Sequence, residues 1–234
     1  MNDWSNDPPG PVTDTPDPCP PLSPSAATEE LDAASIHLWW VPRQRGDGRA
    51  PLLSILAGYL HTTPARVMLR ADTHGRPRLT APHEGALDFN WSHSGGQAVV
   101  AVARHLPRLG VDLEYVKPGR DGLAIARRYF APQEQSLLAA LPPPARATAF
   151  VRLWTAKEAL LKAHGAGLSF GLHRAVFDPA TDGPRIRQLD PVLGAPASWQ
   201  LAHWPLAGDG FATLCWQGAA RSIRHVIPRT DTEG

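Results

Sequence analysis

The longest uninterrupted helical pattern in the chain is ARATAFVRLWTAKEALLKAHG, residues 145–165, and the rest of the fold has to be arranged around it. Pro142–Pro144 stand before it and Gly165 behind it, the residue types that begin and stop a helix. Side chains four apart lie one above the other, so Trp154, Glu158 and Lys162 share a line, with Lys157 beside them. A surface ion pair accounts for Glu158 and Lys162 at a gain of only about 0.3–0.5 kcal/mol. The alternative is a site in which the carboxylate holds a cation and the ammonium holds an anion.

Composition narrows the choice. The 234 residues suffice for one large or two small domains with a real core. With 23 basic and 22 acidic residues the net charge is +1, which argues against nucleic acid or a membrane as partner. Two cysteines, Cys19 and Cys215, make no disulfide framework. The opening MNDWSNDPPG lacks the basic and apolar regions of a signal peptide. No segment nears the roughly 18 apolar residues of a membrane span. The expectation is a soluble, cytoplasmic protein.

Eight prolines among residues 1–35, without apolar periodicity, predict a disordered tail. Strands are expected at SIHLWWVP, ARVMLRAD, the end of THGRPRL, AVVAVARH and LGVDLEYV, and a helix at PLLSILAGYL. GLAIARRYF and PQEQSLLAAL read as further helices before the long one, and AVFD, SWQLAHWP and GFATLCWQ as closing strands. Each half holds helices and a small sheet, which predicts an α+β fold rather than a regular βαβ winding, with subdomains at 36–110 and 111–218 and a tail at 219–234.

Three segments offer chemistry. In GVDLE the strand period points Val111 and Leu113 one way, Asp112 and Glu114 the other. A wet outer face explains such a pair when it is taken alone. Glu158 adds a third carboxylate, and an all-oxygen donor set suits a hard cation such as Mg²⁺, which binds through one or two carboxylates plus substrate phosphates. FNWSHSGG, residues 89–96, reads as a turn whose histidine and hydroxyls could meet an anion; no glycine lies two residues before either serine, so it is no nucleophile elbow. GAGLSFG lacks the third glycine of a dinucleotide loop and reads as a helix stop. Between residues 120 and 152 five arginines face two acids, a candidate docking surface for an acidic partner or a solvated pair of helix faces.

FNWSHSGG, LGVDLEYV and FVRLWTAKEALLKAHGAGL together, in this order, resemble the motif set of the 4′-phosphopantetheinyl transferases, in particular the monomeric Sfp-type branch. The resemblance runs from about Ile36 to Gln217. It implies a pseudo-twofold pair of similar α+β subdomains with coenzyme A between them. It implies transfer of the 4′-phosphopantetheine arm to a serine of an acyl, peptidyl or aryl carrier protein domain, releasing 3′,5′-ADP. By position, Asp112, Glu114 and Glu158 would hold Mg²⁺, Lys162 and Lys157 would contact phosphate, and Trp154 would pack. Ser92 and His93 would bind a coenzyme A phosphate, and Arg49 and Arg76 the adenosine 3′-phosphate. Glu158 or a metal-bound water beside it would be the base. Two departures stand out: Val41–Gly48 is shorter than in the family, holding only Arg43 and Arg45, and Trp91 replaces a leucine. A non-catalytic coenzyme A- or carrier-binding module on the same fold is the alternative, with a phosphohydrolase a distant third.

Overall fold

The computed structural model describes residues 24–165, 167, 170–179 and 183–228. Most of the expected tail, Cys19 included, lies outside them. The part that does not is ordered: Pro24–Glu30 form helix α1, with Ala27 fully buried.

Strand β1 (Ser35–Pro42) follows, then helix α2 (Ala50–Tyr59), opened by Pro51 and burying Leu52, Ile55, Leu56 and Tyr59 at helical spacing. Two short strands, β2 (Leu69–Ala71) and β3 (Pro77–Leu79), pair as a hairpin. The ARVMLRAD strand is thus cut to three residues, because a 3-10 turn at Pro64–Arg66 occupies the space before it. Strands β4 (Asp88–Ser94) and β5 (Gln97–Ala103) form a second hairpin. FNWSHS is therefore strand, and only Gly95 and Gly96 turn, at φ +57° and +79°. Positive φ at both centres of a two-residue hairpin loop is what glycine supplies most cheaply.

Strand β6 (Leu109–Tyr115) leads into helices α3 (Gly122–Tyr129), α4 (Pro132–Ala140) and α5 (Pro143–His164), and α5 ends at Gly165 with φ +87° as expected. Strands β7 (Ala175–Asp178) and β8 (Arg185–Leu189) make a hairpin; β9 (Trp199–Leu206), β10 (Gly210–Gln217) and β11 (Ser222–Val226) complete the order.

Two main sheets result, ordered β11-β1-β5-β4 and β6-β10-β9. Strand β5 has no polar face because both of its faces are covered. Val100 and Val102 pack with α2, whereas Val99, Ala101 and Ala103 meet Val111, Leu113 and Leu214 of the other sheet. The second sheet turns its remaining face to α5 through Phe211 and Cys215. The result is a four-layer stack: helix, sheet, sheet, helix. The α+β expectation holds, but part of the expected closing tail, Ser222–Val226, is a strand. Ser222–Val226 run parallel to Ser35–Trp39 and form the edge of the first sheet. No helix among the described residues is long and apolar enough to cross a membrane.

Candidate active site

Close packing sets the site. Gly110 lies where β6 crosses α5, and a Cβ there would stand 2.1 Å from Ala159 O and 2.4 Å from Ala163 N. Only a residue without a side chain permits this approach, which lays β6 against the line of Trp154, Glu158 and Lys162. With Val111 and Leu113 turned into the core between the sheets, Asp112 and Glu114 face the helix side. The alternation read from the sequence is the one the strand adopts.

The edge of the first sheet closes the site from the other side. Asn90, Ser92 and Ser94 alternate along β4, and each side chain reaches β6. Asn90 Oδ1 accepts from Val111 N at 3.0 Å, Ser92 Oγ donates to Asp112 Oδ1 at 2.7 Å, and Ser94 Oγ donates to Glu114 Oε2 at 3.2 Å. Arg76 pins the same junction from behind, donating to the carbonyls of Lys162, Phe89 and Leu109 at 2.8–3.0 Å.

Between these elements opens a cleft of about 340 Å³ lined by Trp91, Ser92, His93, Asp112, Glu114, Trp154, Glu158 and Lys162. Lys162 Nζ donates to Asp112 Oδ1 at 2.7 Å, Ser92 Oγ at 3.0 Å and Val111 O at 3.2 Å. Glu114 has Lys117 at 3.4 Å and Arg120 at 3.9 Å. The Arg120 guanidinium also lies over the Trp154 ring, 5.1 Å from its centroid, which holds that indole at the cleft wall. Burial, with Asp112 and Glu114 nearby, pushes the Glu158 carboxyl up to about 7, although Lys162 opposes the rise. His93 is held below the usual imidazole range by partial burial and by the cations Arg43 and Lys162.

The cleft thus gathers six of the nine residues given a ligand or catalytic role from the sequence, together with Trp91 and Trp154. The other three are elsewhere. Lys157 is fully buried, 2.7 Å from Glu134, and donates to the carbonyls of Leu172 and Ala175. No phosphate can reach it, so its assignment as a phosphate contact is corrected to a core ion pair. Arg76 is 7% exposed and gives three of its five N–H groups to backbone carbonyls, joining sheet and helix; it lines a neighbouring cavity of about 190 Å³ and not this cleft. Arg49 is exposed just before α2 and is not among the described residues lining the cleft. Sequence reasoning missed Asn90, whose signal was period two in FNWSHS, and offered the Ser94 hydroxyl to an anion where it meets the Glu114 carboxylate; it also missed Glu134, for which APQE signalled only a helix start. Of the five arginines between 120 and 152, Arg146 caps carbonyls at the end of α4, Arg152 lies over Phe211 and Arg120 turns to Glu114. Arg127 and Arg128 of α3 are exposed.

The donor chemistry fits a hard divalent cation. Asp112 is 4% exposed, yet its Oδ2 is enclosed without a hydrogen-bond partner, and Glu114 and Glu158 share its cleft.

The profile of the 4′-phosphopantetheinyl transferase superfamily matches residues 108–215, from β6 through α5 into β10. The 4′-phosphopantetheinyl transferase HetI of Nostoc sp. is 39% identical over 150 residues, which cover 63% of this chain and 63% of that protein. A 4′-phosphopantetheinyl transferase of Bacillus subtilis is 38% identical over 109 residues, 47% of this chain and 46% of that one. The 4′-phosphopantetheinyl transferase Sfp, also from Bacillus subtilis, is 30% identical over 119 residues, 51% and 50% of the two chains. The matches span less than two thirds of each relative. Over residues 108–215 the chain is therefore similar to the 4′-phosphopantetheinyl transferase superfamily.

Proposed function

We propose that this chain transfers the 4′-phosphopantetheine group of coenzyme A to a serine of an acyl, peptidyl or aryl carrier protein domain and releases 3′,5′-ADP. One observation supports this most: three carboxylates and a lysine, from strand β6 and helix α5, line a single open cleft in a chain similar to this superfamily. Asp112, Glu114 and Glu158 would hold Mg²⁺, which when bound neutralises charge on the pyrophosphate.

The remaining work falls to the chain's own groups. Lys162 presents an ammonium as a point charge to phosphate oxygens. His93 and Ser92 offer donors at the cleft mouth. Glu158, or a water beside it, takes the proton of the carrier serine. The serine oxygen then bonds to the phosphorus bearing pantetheine, and the bond from that phosphorus to the nucleotide's bridging oxygen breaks. Positioning and electrostatics supply most of the acceleration. Arg49 approaches the adenosine end, and Arg127 with Arg128 faces acidic residues of the carrier.

Intact-protein mass spectrometry of an apo carrier incubated with coenzyme A, Mg²⁺ and this protein tests the reading. The expected result is a gain of one phosphopantetheine, lost with EDTA and absent when alanine replaces the carrier serine. No gain on fatty-acid, polyketide and peptide carriers, with coenzyme A still bound, would turn the reading to a non-catalytic module.

A further inference from the structure

The acids of the cleft face cations of the chain itself rather than converging on one another. Among the described residues no three His, Cys, Asp or Glu side chains stand at metal-holding distance. Glu114 is set against Lys117 and Arg120, and Asp112 against Lys162. The Lys162 ammonium has three hydrogens and three acceptors: Asp112 Oδ1, Ser92 Oγ and Val111 O. Asp112 Oδ1 therefore takes both Lys162 and Ser92, while the enclosed Oδ2 has no partner.

We propose that Lys162 is a resident counter-ion that a divalent metal must displace from Asp112, so that metal and phosphate ligand load together. The proposal rests on the metal assignment above and adds to it a rule of loading. A dication on either oxygen of Asp112 would stand close to the ammonium, and two positive charges that near in a part-buried site repel strongly. One of the two must move. Asp112 is 6% exposed by its side chain and fixed on a strand, whereas the Lys162 side chain is 29% exposed on a flexible four-carbon stem. An arriving phosphate gives the ammonium new acceptors and draws it off the carboxylate. Linkage makes the effect mutual, since whatever helps the anion displace Lys162 also helps the metal.

The test uses Mn²⁺ alone as probe, with free Mn²⁺ followed by electron paramagnetic resonance at pH 8, on the wild type, Lys162→Met and Ser92→Ala. Circular dichroism melts verify folding. Without coenzyme A, Lys162→Met binds Mn²⁺ at least about tenfold more tightly than the wild type. Ser92→Ala keeps the charge but loses one acceptor of the ammonium, and shows a smaller gain; it bears the test alone if Lys162→Met does not fold. Coenzyme A then tightens Mn²⁺ binding more in the wild type than in Lys162→Met. Equal or weaker Mn²⁺ binding in the variants overturns the exchange and leaves the metal site standing. No Mn²⁺ binding by any of the three, even with coenzyme A, removes the metal assignment and this inference with it.

Discussion

Helix α5 carries two lysine–carboxylate pairs five residues apart, Lys157 with Glu134 and Lys162 with Asp112, and both measure 2.7 Å. Their surroundings differ entirely. The side chains of the first pair are 0% and 1% exposed. Glu134 further accepts from the backbone of Ala131 and Phe177, and Lys157 lies 4.8 Å from the Phe130 ring centroid. Both charges of that pair are fully engaged, and together they join α4, α5 and β7. The second pair lines an open cleft and leaves one carboxylate oxygen without a partner. Distance does not separate the two roles; enclosure and leftover bonding capacity do.

The sealed pair should give the largest effect. Glu134→Ala strands a buried ammonium and lowers unfolding free energy by about 3–5 kcal/mol, read from urea midpoints. Turnover per folded molecule stays near wild type; a loss of activity without a loss of stability would erase the contrast. Asp112→Ala reverses the pattern. Activity on an apo carrier falls about 10²–10³-fold, while stability changes by no more than about 1 kcal/mol because Lys162 can turn to water. Near-wild-type turnover would remove Asp112 from the site.

Enclosure also governs two histidines. Tyr59 OH accepts from Trp39 Nε1 at 2.8 Å, so its own hydrogen is free for His37 Nδ1 at 2.9 Å. His203 Nδ1 lies 2.9 Å from Thr213 Oγ1. Burial holds both imidazoles down at about 4. The folded state therefore resists a proton that the unfolded chain takes near 6.5. Stability is lost as pH falls from about 6.5 to 4, by up to about 3 kcal/mol for each histidine, and levels off below that window. Replacing both with asparagine should flatten the slope in that window, and an unchanged slope would exclude them as its source.

The sequence made the working pair easier to read than the sealed one. Asp112 and Glu114 alternate against Val111 and Leu113, and Glu158 and Lys162 are one helical turn apart, so period alone placed all four. Lys157 sits one residue from Glu158, and nothing local says which way it points. Eleven residues of α5 are buried, spread around the helix, so polarity does not mark its outer face. The part Arg76 plays in joining sheet and helix was hidden for a related reason: its acceptors are carbonyls from three separate elements, and carbonyls leave no trace in side-chain patterns. Strand β11 escaped because SIRHV gains its place only from β1, far away in the chain.

That last pairing has a consequence for how the protein is made. The first sheet needs residues 35–39 and 222–226 side by side, so its β1 edge stays open while nearly two hundred intervening residues leave the ribosome. Throughout that interval Ile36, Leu38 and Trp40 form an apolar strand with unmet backbone groups, the kind of edge that recruits other chains. Chaperone demand during synthesis should therefore be set less by the bulk of the protein than by the delay before Ser222 emerges.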